Sequence, residues 1–362
     1  MTGILYISDL RGCPFLSRYT QALLEKNENY KIILWNRENG DGQVKENDVL
    51  VEYASYQDTR IKKAKKVKGF LEYGFFLSEQ IRKYKFDKLI VLCTLTGVLV
   101  AKQLLFDYKG KYIFDIRDIS FERFDLFRRL EKRLIDNSFF TAYSSNGFLE
   151  LLPDSDKMIF CPNLSSKEVE TIKSEQWTFQ KKTYGEKLNL VYVGAVRQYE
   201  NVKRIVDVFG NHPRFEVFYH GAGDVGYKDI LFHIEEKGYT NIHFTGKYDN
   251  SERLELLRKA DLLNNFYAAS NDMKYANTNK YLDALICHIP LVSNLQTHDG
   301  VLALNEHVGL AYDDVIDPDI LYEDYFAMDK LKFNAACDIA LEKRIRAEEQ
   351  ITLRIRDFLE SR

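Results

Sequence analysis

A chain of 362 residues, 45% hydrophobic and 29% charged with a formal net charge of -3, is long enough for two cores and has the composition of a globular protein. No run approaches the roughly 18 uncharged apolar residues that a membrane span needs, and the start, MTGILYISDLRG, has neither the basic nor the apolar region of a signal peptide, so a cytoplasmic protein is expected. The five cysteines, Cys13, Cys93, Cys161, Cys287 and Cys337, are scattered, odd in number and never spaced C-x-x-C, which suggests neither a disulfide framework nor a zinc site.

Short β-branched and aromatic runs alternate with helical patterns along the whole chain, the signature of parallel sheets with crossover helices. The first half predicts strands at ILYISDL (from Ile4), YKIILWN (Tyr30), DVLVEYA (Asp48), DKLIVLC (Asp87), KYIFDIRD (Lys111), SFFTAYSS (Ser138) and MIFCPN (Met158). These make one doubly wound domain, residues 1–165. Its balance is basic, with 26 Lys and Arg against 22 Asp and Glu, while the remainder has 25 against 32.

Part of that excess lies in RIKKAKKVKGFLEYGFFL, where Arg60, Lys62, Lys63, Lys65, Lys66 and Lys68 precede Phe70, Leu71, Tyr73, Phe75, Phe76 and Leu77. A second basic cluster, FRRLEKRL, starts at Phe127. Anionic lipid attracts such residues at about 1 kcal/mol each. Residues 60–77 therefore read either as a contact with the inner face of the cytoplasmic membrane or as a solvated basic face. Nucleic acid is not expected, since no nucleic-acid fold accompanies the charges.

Residues 166–186 are polar, lack a strand pattern and read as a linker. The alternation then restarts at LNLVYVGA (Leu188), RFEVFYHG (Arg214), NIHFTGK (Asn241), DLLNNFY (Asp261) and IPLVSN (Ile289). A second Rossmann-like domain over 187–335 follows from this, closed by an amphipathic helix over 336–362. Open α/β sheets bind ligands beyond the carboxyl ends of their strands, so two such domains facing a central cleft would bind there.

The stretch YANTNKYLDALICHIPLVSN, Tyr275 to Asn294, carries the most chemistry. Asn277 or Thr278 is a natural N-cap, placing Asn279 and Lys280 in the first helical turn and Asp283 in the second. A lysine at that end opposes the helix dipole, and Lys280 before Asp283 is the less favourable ion-pair order. An anion explains the choice: backbone N–H groups and one ammonium cradle a phosphate, while Asp283 accepts from sugar hydroxyls. The alternative is a well-capped helix with solvated charges.

The strand DLLNNFY, a polar loop and NKYLDALICHIPLVSN together resemble the donor-binding segment of glycosyltransferase family 4, nucleotide-sugar enzymes of the GT-B fold. LVYVGAVRQYENVKRIVDVF and FEVFYHGAGD also resemble that family's nucleotide domain, especially in the branch that builds bacterial surface polysaccharides. In the family an acid on this helix holds the ribose, and Asn279, Lys280, Asp283 and Pro290 match its pattern. Tyr275 stands where a second acid is frequent, His288 where a glycine precedes the proline strand, and Ala195 and Glu200 where an arginine and a lysine bind phosphate. Arg197 is the best substitute cation, with Lys203 or Arg204 weaker.

The resemblance implies transfer from a nucleotide sugar, UDP- or GDP-linked, to a lipid-linked or oligosaccharide acceptor, with retention at the anomeric carbon and no required metal or other cofactor. It implies Arg197 and Lys280 on the leaving diphosphate, with Gly12, Gly194, Lys203, Gly221, Gly223, Tyr275, Asn277, Thr278, Asn279 and Asp283 around the donor. In the first domain FDIRDIS ends a strand with Asp118 turned to the loop; Asp118 or Arg117 meets the sugar or acceptor, or the two belong to a structural Arg–Asp brace.

Competing motifs are weak. GAGDVG, Gly221 to Gly226, fits G-x-G-x-x-G, but the acid that a dinucleotide fold wants about 20 residues on arrives only late, at Asp249. No P-loop, G-x-S-x-G or H-E-x-x-H occurs. A nucleotide-sugar epimerase of the same architecture and a non-catalytic sugar-nucleotide-binding subunit remain as alternatives.

Overall fold

Fourteen strands form in the computed structural model, which describes residues 1–10, 13, 15–37, 44–56, 63–164, 166–175, 177–223, 226–270 and 272–361. In chain order they are β1 (Thr2–Tyr6), β2 (Tyr30–Asn36), β3 (Val44–Glu46), β4 (Leu50–Ala54), β5 (Lys88–Leu92), β6 (Tyr112–Ile116), β7 (Phe140–Tyr143), β8 (Met158–Phe160), β9 (Leu188–Val193), β10 (Phe215–His220), β11 (Ile242–Gly246), β12 (Leu262–Asn265), β13 (Leu291–Asn294) and β14 (Gly309–Tyr312). Every predicted run overlaps one of them, and all but the first contain it whole; β1 starts at Thr2, two residues before the predicted Ile4. They divide between two compact units, Met1–Val169 with Ile345–Arg362, and Glu170–Arg344.

The first unit holds an eight-stranded sheet in the order β3-β4-β2-β1-β5-β6-β7-β8. All its pairs are parallel except β3 with β4, in the register Val44↔Tyr53. Continuous burial along β1, β6 and β7 is what a sheet covered on both faces requires. Strand order reverses between β1 and β5, so the loops after Tyr6 and Leu92 flank the switch point.

One face of this sheet is completed from the far end of the sequence. The helix Lys330–Glu360 begins in the second unit and ends in the first. There Ile351, Ile355, Phe358 and Leu359 join Ile4, Ile90, Ile113 and Phe140 in a single buried cluster. Arg18 locks the helix with a buried ion pair to Glu348, 2.7 Å from Nη2 to Oε2. The Lys88 ammonium donates to the carbonyls of Phe358 and Leu359, each at 2.6 Å, which satisfies acceptors that a helix end leaves open. The helix thus starts before the predicted residue 336, and the polar linker contains a helix of its own, Ser166–Ser174.

The second unit is an all-parallel six-stranded sheet ordered β11-β10-β9-β12-β13-β14. Counted within the unit this is 3-2-1-4-5-6, the dinucleotide-fold order, whose ligand crevice opens where the order reverses. That place lies between β9 and β12. On the other side of β9, Gly221 lets the end of β10 close on the loop after β9: at φ +153°, a Cβ on it would stand 1.8 Å from the Gly194 carbonyl oxygen.

Candidate functional site

Two loops and one helix meet at the switch between β9 and β12. β9 ends at Val193 and runs into Gly194, Ala195, Val196, Arg197 and Gln198, after which Gln198, at φ 55°, turns the chain into the helix Tyr199–Phe209. The loop is tied across the sheet edge by Gly194 N–H to the His220 carbonyl, 2.9 Å, and Val196 N–H to that of Ala222, 3.0 Å. β12 leads to Tyr267, and Asn201 Nδ2 holds the carbonyl of the preceding Phe266 at 2.6 Å.

The helix Asn279–Cys287 supplies the charge. Lys280 is only 7% exposed, and its ammonium donates to the Tyr267 hydroxyl at 2.7 Å while standing 4.1 Å from the Tyr192 ring centroid. It faces Gly194, whose added Cβ would meet Nζ at 3.5 Å. Among the described residues no carboxylate pairs with it. A buried ammonium is costly without a partner charge, so this arrangement is poised for an anion. Arg197, exposed on the neighbouring loop, makes no ion pair among the described residues, and its charge together with that of Lys280 acts on Tyr267. Burial pushes the Tyr267 phenol up, the Lys280 charge and hydrogen bond pull it down, and the net shift is downward.

The polar helix entrance has an internal explanation as well. Thr278 holds the N-cap position without a side-chain cap. Its hydroxyl donates instead to Asp299 Oδ2 at 2.6 Å, and Asn277 Nδ2 donates to Asp299 Oδ1 at the same distance. Asn265 Nδ2, at 2.8 Å, and the Thr278 N–H complete the set. Burial raises the Asp299 carboxyl, and these donors oppose the rise. Asn277 and Thr278 thus shape the turn that delivers Lys280, whereas Asn279 is exposed and Tyr275 half-buried beside Lys274.

Asp283 is buried a turn below, paired with Arg253 Nη1 at 3.3 Å. Gly223 packs close to Tyr199 and Tyr227, where a Cβ would come within 3.1 Å of the Tyr199 hydroxyl. Lys203 is exposed on the helix Tyr199–Phe209. Gly12 lies outside the described residues.

In the first unit Asp118 is exposed just past β6, as strand alternation predicts. Arg117 forms the brace: Nε lies 2.6 Å from Asp115 Oδ1, and Nη1 donates to Asn163 Oδ1 at 2.9 Å. Tyr19 donates a further bond to Asp115 at 2.6 Å. The guanidinium is therefore turned into the core and fixes the strand end from which Asp118 projects.

Sequence reasoning passed over Tyr192, Tyr267, Arg253 and Asp299. The tyrosines read as ordinary strand residues, and only the fold brings them around Lys280. Asp299 carried a signal, an acid in the first turn of a helix after a predicted strand.

No family model and no curated protein matches the sequence. Solved structures match along nearly the whole chain. Sucrose-phosphate synthase from Thermosynechococcus elongatus is 12% identical over 98% of this chain and 97% of its own, with a TM-score of 0.67. The fold is GT-B. HepE from Anabaena in complex with UDP-glucose is 10% identical over 100% of both chains, at a TM-score of 0.60. WaaG, a glycosyltransferase involved in lipopolysaccharide biosynthesis, is 10% identical over 97% of this chain and 98% of its own, also at 0.60. At such identities the likeness concerns the GT-B fold alone.

Proposed function

We propose that this chain is a glycosyltransferase that transfers a sugar from a UDP- or GDP-linked donor to a lipid-linked or oligosaccharide acceptor in bacterial surface polysaccharide synthesis, with retention. The observation that carries the reading is the buried Lys280 ammonium, without a carboxylate partner among the described residues, at the switch point of a dinucleotide-type sheet. Structural neighbours in complex with UDP-glucose, or involved in lipopolysaccharide biosynthesis, support the substrate class.

In this reading Lys280 and Arg197 take the donor diphosphate, and Asp283, held by Arg253, accepts from the ribose. The bond from the anomeric carbon to the diphosphate oxygen breaks as the bond to the acceptor oxygen forms on the same face. The acceptor proton passes to a donor phosphate oxygen, and the two cations stabilise the charge left behind. Asp118 meets the sugar or acceptor, with Arg117 as its support. Residues 60–77 contact an anionic membrane surface at the cytoplasmic face.

A thermal-shift screen of UDP- and GDP-sugars against NAD tests the reading. A ligand at 100 times its Kd adds about 2.7 kcal/mol of stability. A rise with one nucleotide-sugar class and none with NAD is expected, and Lys280→Ala should weaken that ligand about 10- to 100-fold, the worth of a hydrogen bond to a charged group. Equal binding by Lys280→Ala and the unaltered chain would remove the proposal's basis.

A further inference from the structure

Proton bookkeeping around Lys280 gives a definite chain of donors. The Tyr192 hydroxyl lies 2.6 Å from the Ala195 carbonyl oxygen, which only accepts, so the one Tyr192 proton goes there. The Tyr192 and Tyr267 oxygens are 3.0 Å apart. That contact must then use the Tyr267 proton, while the Tyr267 oxygen accepts from Lys280 at 2.7 Å. The order is Lys280 ammonium to Tyr267, Tyr267 to Tyr192, and Tyr192 to the carbonyl of Ala195, two residues before Arg197. Each bond polarises the next, and every hydroxyl proton in the chain is used once.

We propose that Tyr267 and Tyr192 are positioning residues that couple the two cations of the anion site, holding Lys280 and the Arg197 loop at the separation one diphosphate requires. The inference rests on the donor-site reading of Lys280 and adds the residues that set its geometry. The Lys280 ammonium has three N–H donors, so its bond to Tyr267 leaves two for phosphate oxygens. All three bonds of the chain thus keep the loop in position when the anion is bound. Loss of the Tyr267 proton breaks the order, because the phenolate then draws the Tyr192 proton away from Ala195 and neutralises Lys280.

The test uses the full chain, with inorganic pyrophosphate and UDP as calorimetric probes across pH and melting temperature as the folding control. Tyr267→Phe and Tyr192→Phe, which keep the rings and remove the hydroxyls, should each bind pyrophosphate roughly tenfold more weakly at neutral pH. Ultraviolet titration should show one tyrosine ionising below the usual value of about 10. That ionisation should vanish in Tyr267→Phe and move upward in Lys280→Met. Pyrophosphate affinity in the unaltered chain should carry a fall in step with it, over and above the probe's own ionisations, and that component should be missing in Tyr267→Phe. Pyrophosphate binding unaltered in both phenylalanine variants, or a low ionisation unmoved by Lys280→Met, overturns the proposal. Pyrophosphate bound in the expected pattern without any nucleotide sugar would leave the coupling standing and sink the donor reading. UDP bound equally by the unaltered chain and both phenylalanine variants but weakened in Lys280→Met would do the reverse, and an unaltered chain that binds neither probe overturns both.

Discussion

Glu122 and Glu131 are almost fully buried together in the first unit, where Arg128 only partly offsets their repulsion. Burial, and then the neighbouring Glu122, push the Glu131 carboxyl up to about 9. The folded chain therefore keeps a proton that the unfolded chain releases near 4.5. Stability that is complete below that value is lost as pH rises and is gone above about 9. Glu131→Gln supplies a neutral group of the same shape, so thermal melts should coincide with those of the unaltered chain near pH 4.5 and exceed them by several degrees at pH 8. A constant offset at both pH values would show that Glu131 does not hold the proton. Lys280 was legible as a cation out of place at a helix start. Its setting was not, because Tyr192 and Tyr267 are 75 residues apart and only strand order makes them neighbours.

Elements with strong patterns were readable and those without were not. β5 and β9 announce themselves by the apolar runs LIVL and LVYV, whereas β3, with the sequence VKE and every residue exposed, has no alternation to find and exists because it pairs with β4. β14, GLAY, is half-buried throughout and too short to stand out. The helix Lys63–Tyr84 shows a feature periodicity does explain: Val67, Leu71 and Phe75 recur every four residues and are all exposed. Tyr73, Phe76 and Leu77 on the same helix are buried. An apolar stripe left outside beside a basic segment suits an anionic lipid surface. Leu71→Ala with Phe75→Ala should lower affinity for vesicles containing anionic lipid, read by sedimentation, by about a hundredfold or more, as removal of two inserted side chains at about 1.5 to 3 kcal/mol each implies, and leave the melting temperature unchanged. Equal sedimentation of both forms would make the stripe a solvated face. No helix among the described residues is long and apolar enough to cross a membrane.

For the whole molecule, alternation of strands and helices made two parallel α/β units legible, but the route of the chain was not. The closing helix reads as amphipathic in sequence, and nothing in its pattern says that its last turns complete the core around β1. Removing residues 345–362 should therefore unfold the first unit selectively. Four large buried side chains leave its core, each worth about 2 to 5 kcal/mol, while the site residues of the second unit all remain within Glu170–Arg344. Calorimetry should lose the first unit's transition, and UDP binding by the shortened chain should persist. A single unshifted transition would contradict the division of the core.

The ion pair between Arg18 and Glu348 also has a meaning in time. On the ribosome, N-terminal segments emerge first and domains generally fold as units in that order. Here the first-made unit lacks a wall of its interior until synthesis has passed Leu359, whereas Glu170–Arg344 has all its strands earlier. The second unit is thus able to mature before the one that precedes it, and the nascent β1 sheet must wait, with one oily face uncovered, for the end of the helix Lys330–Glu360 to arrive.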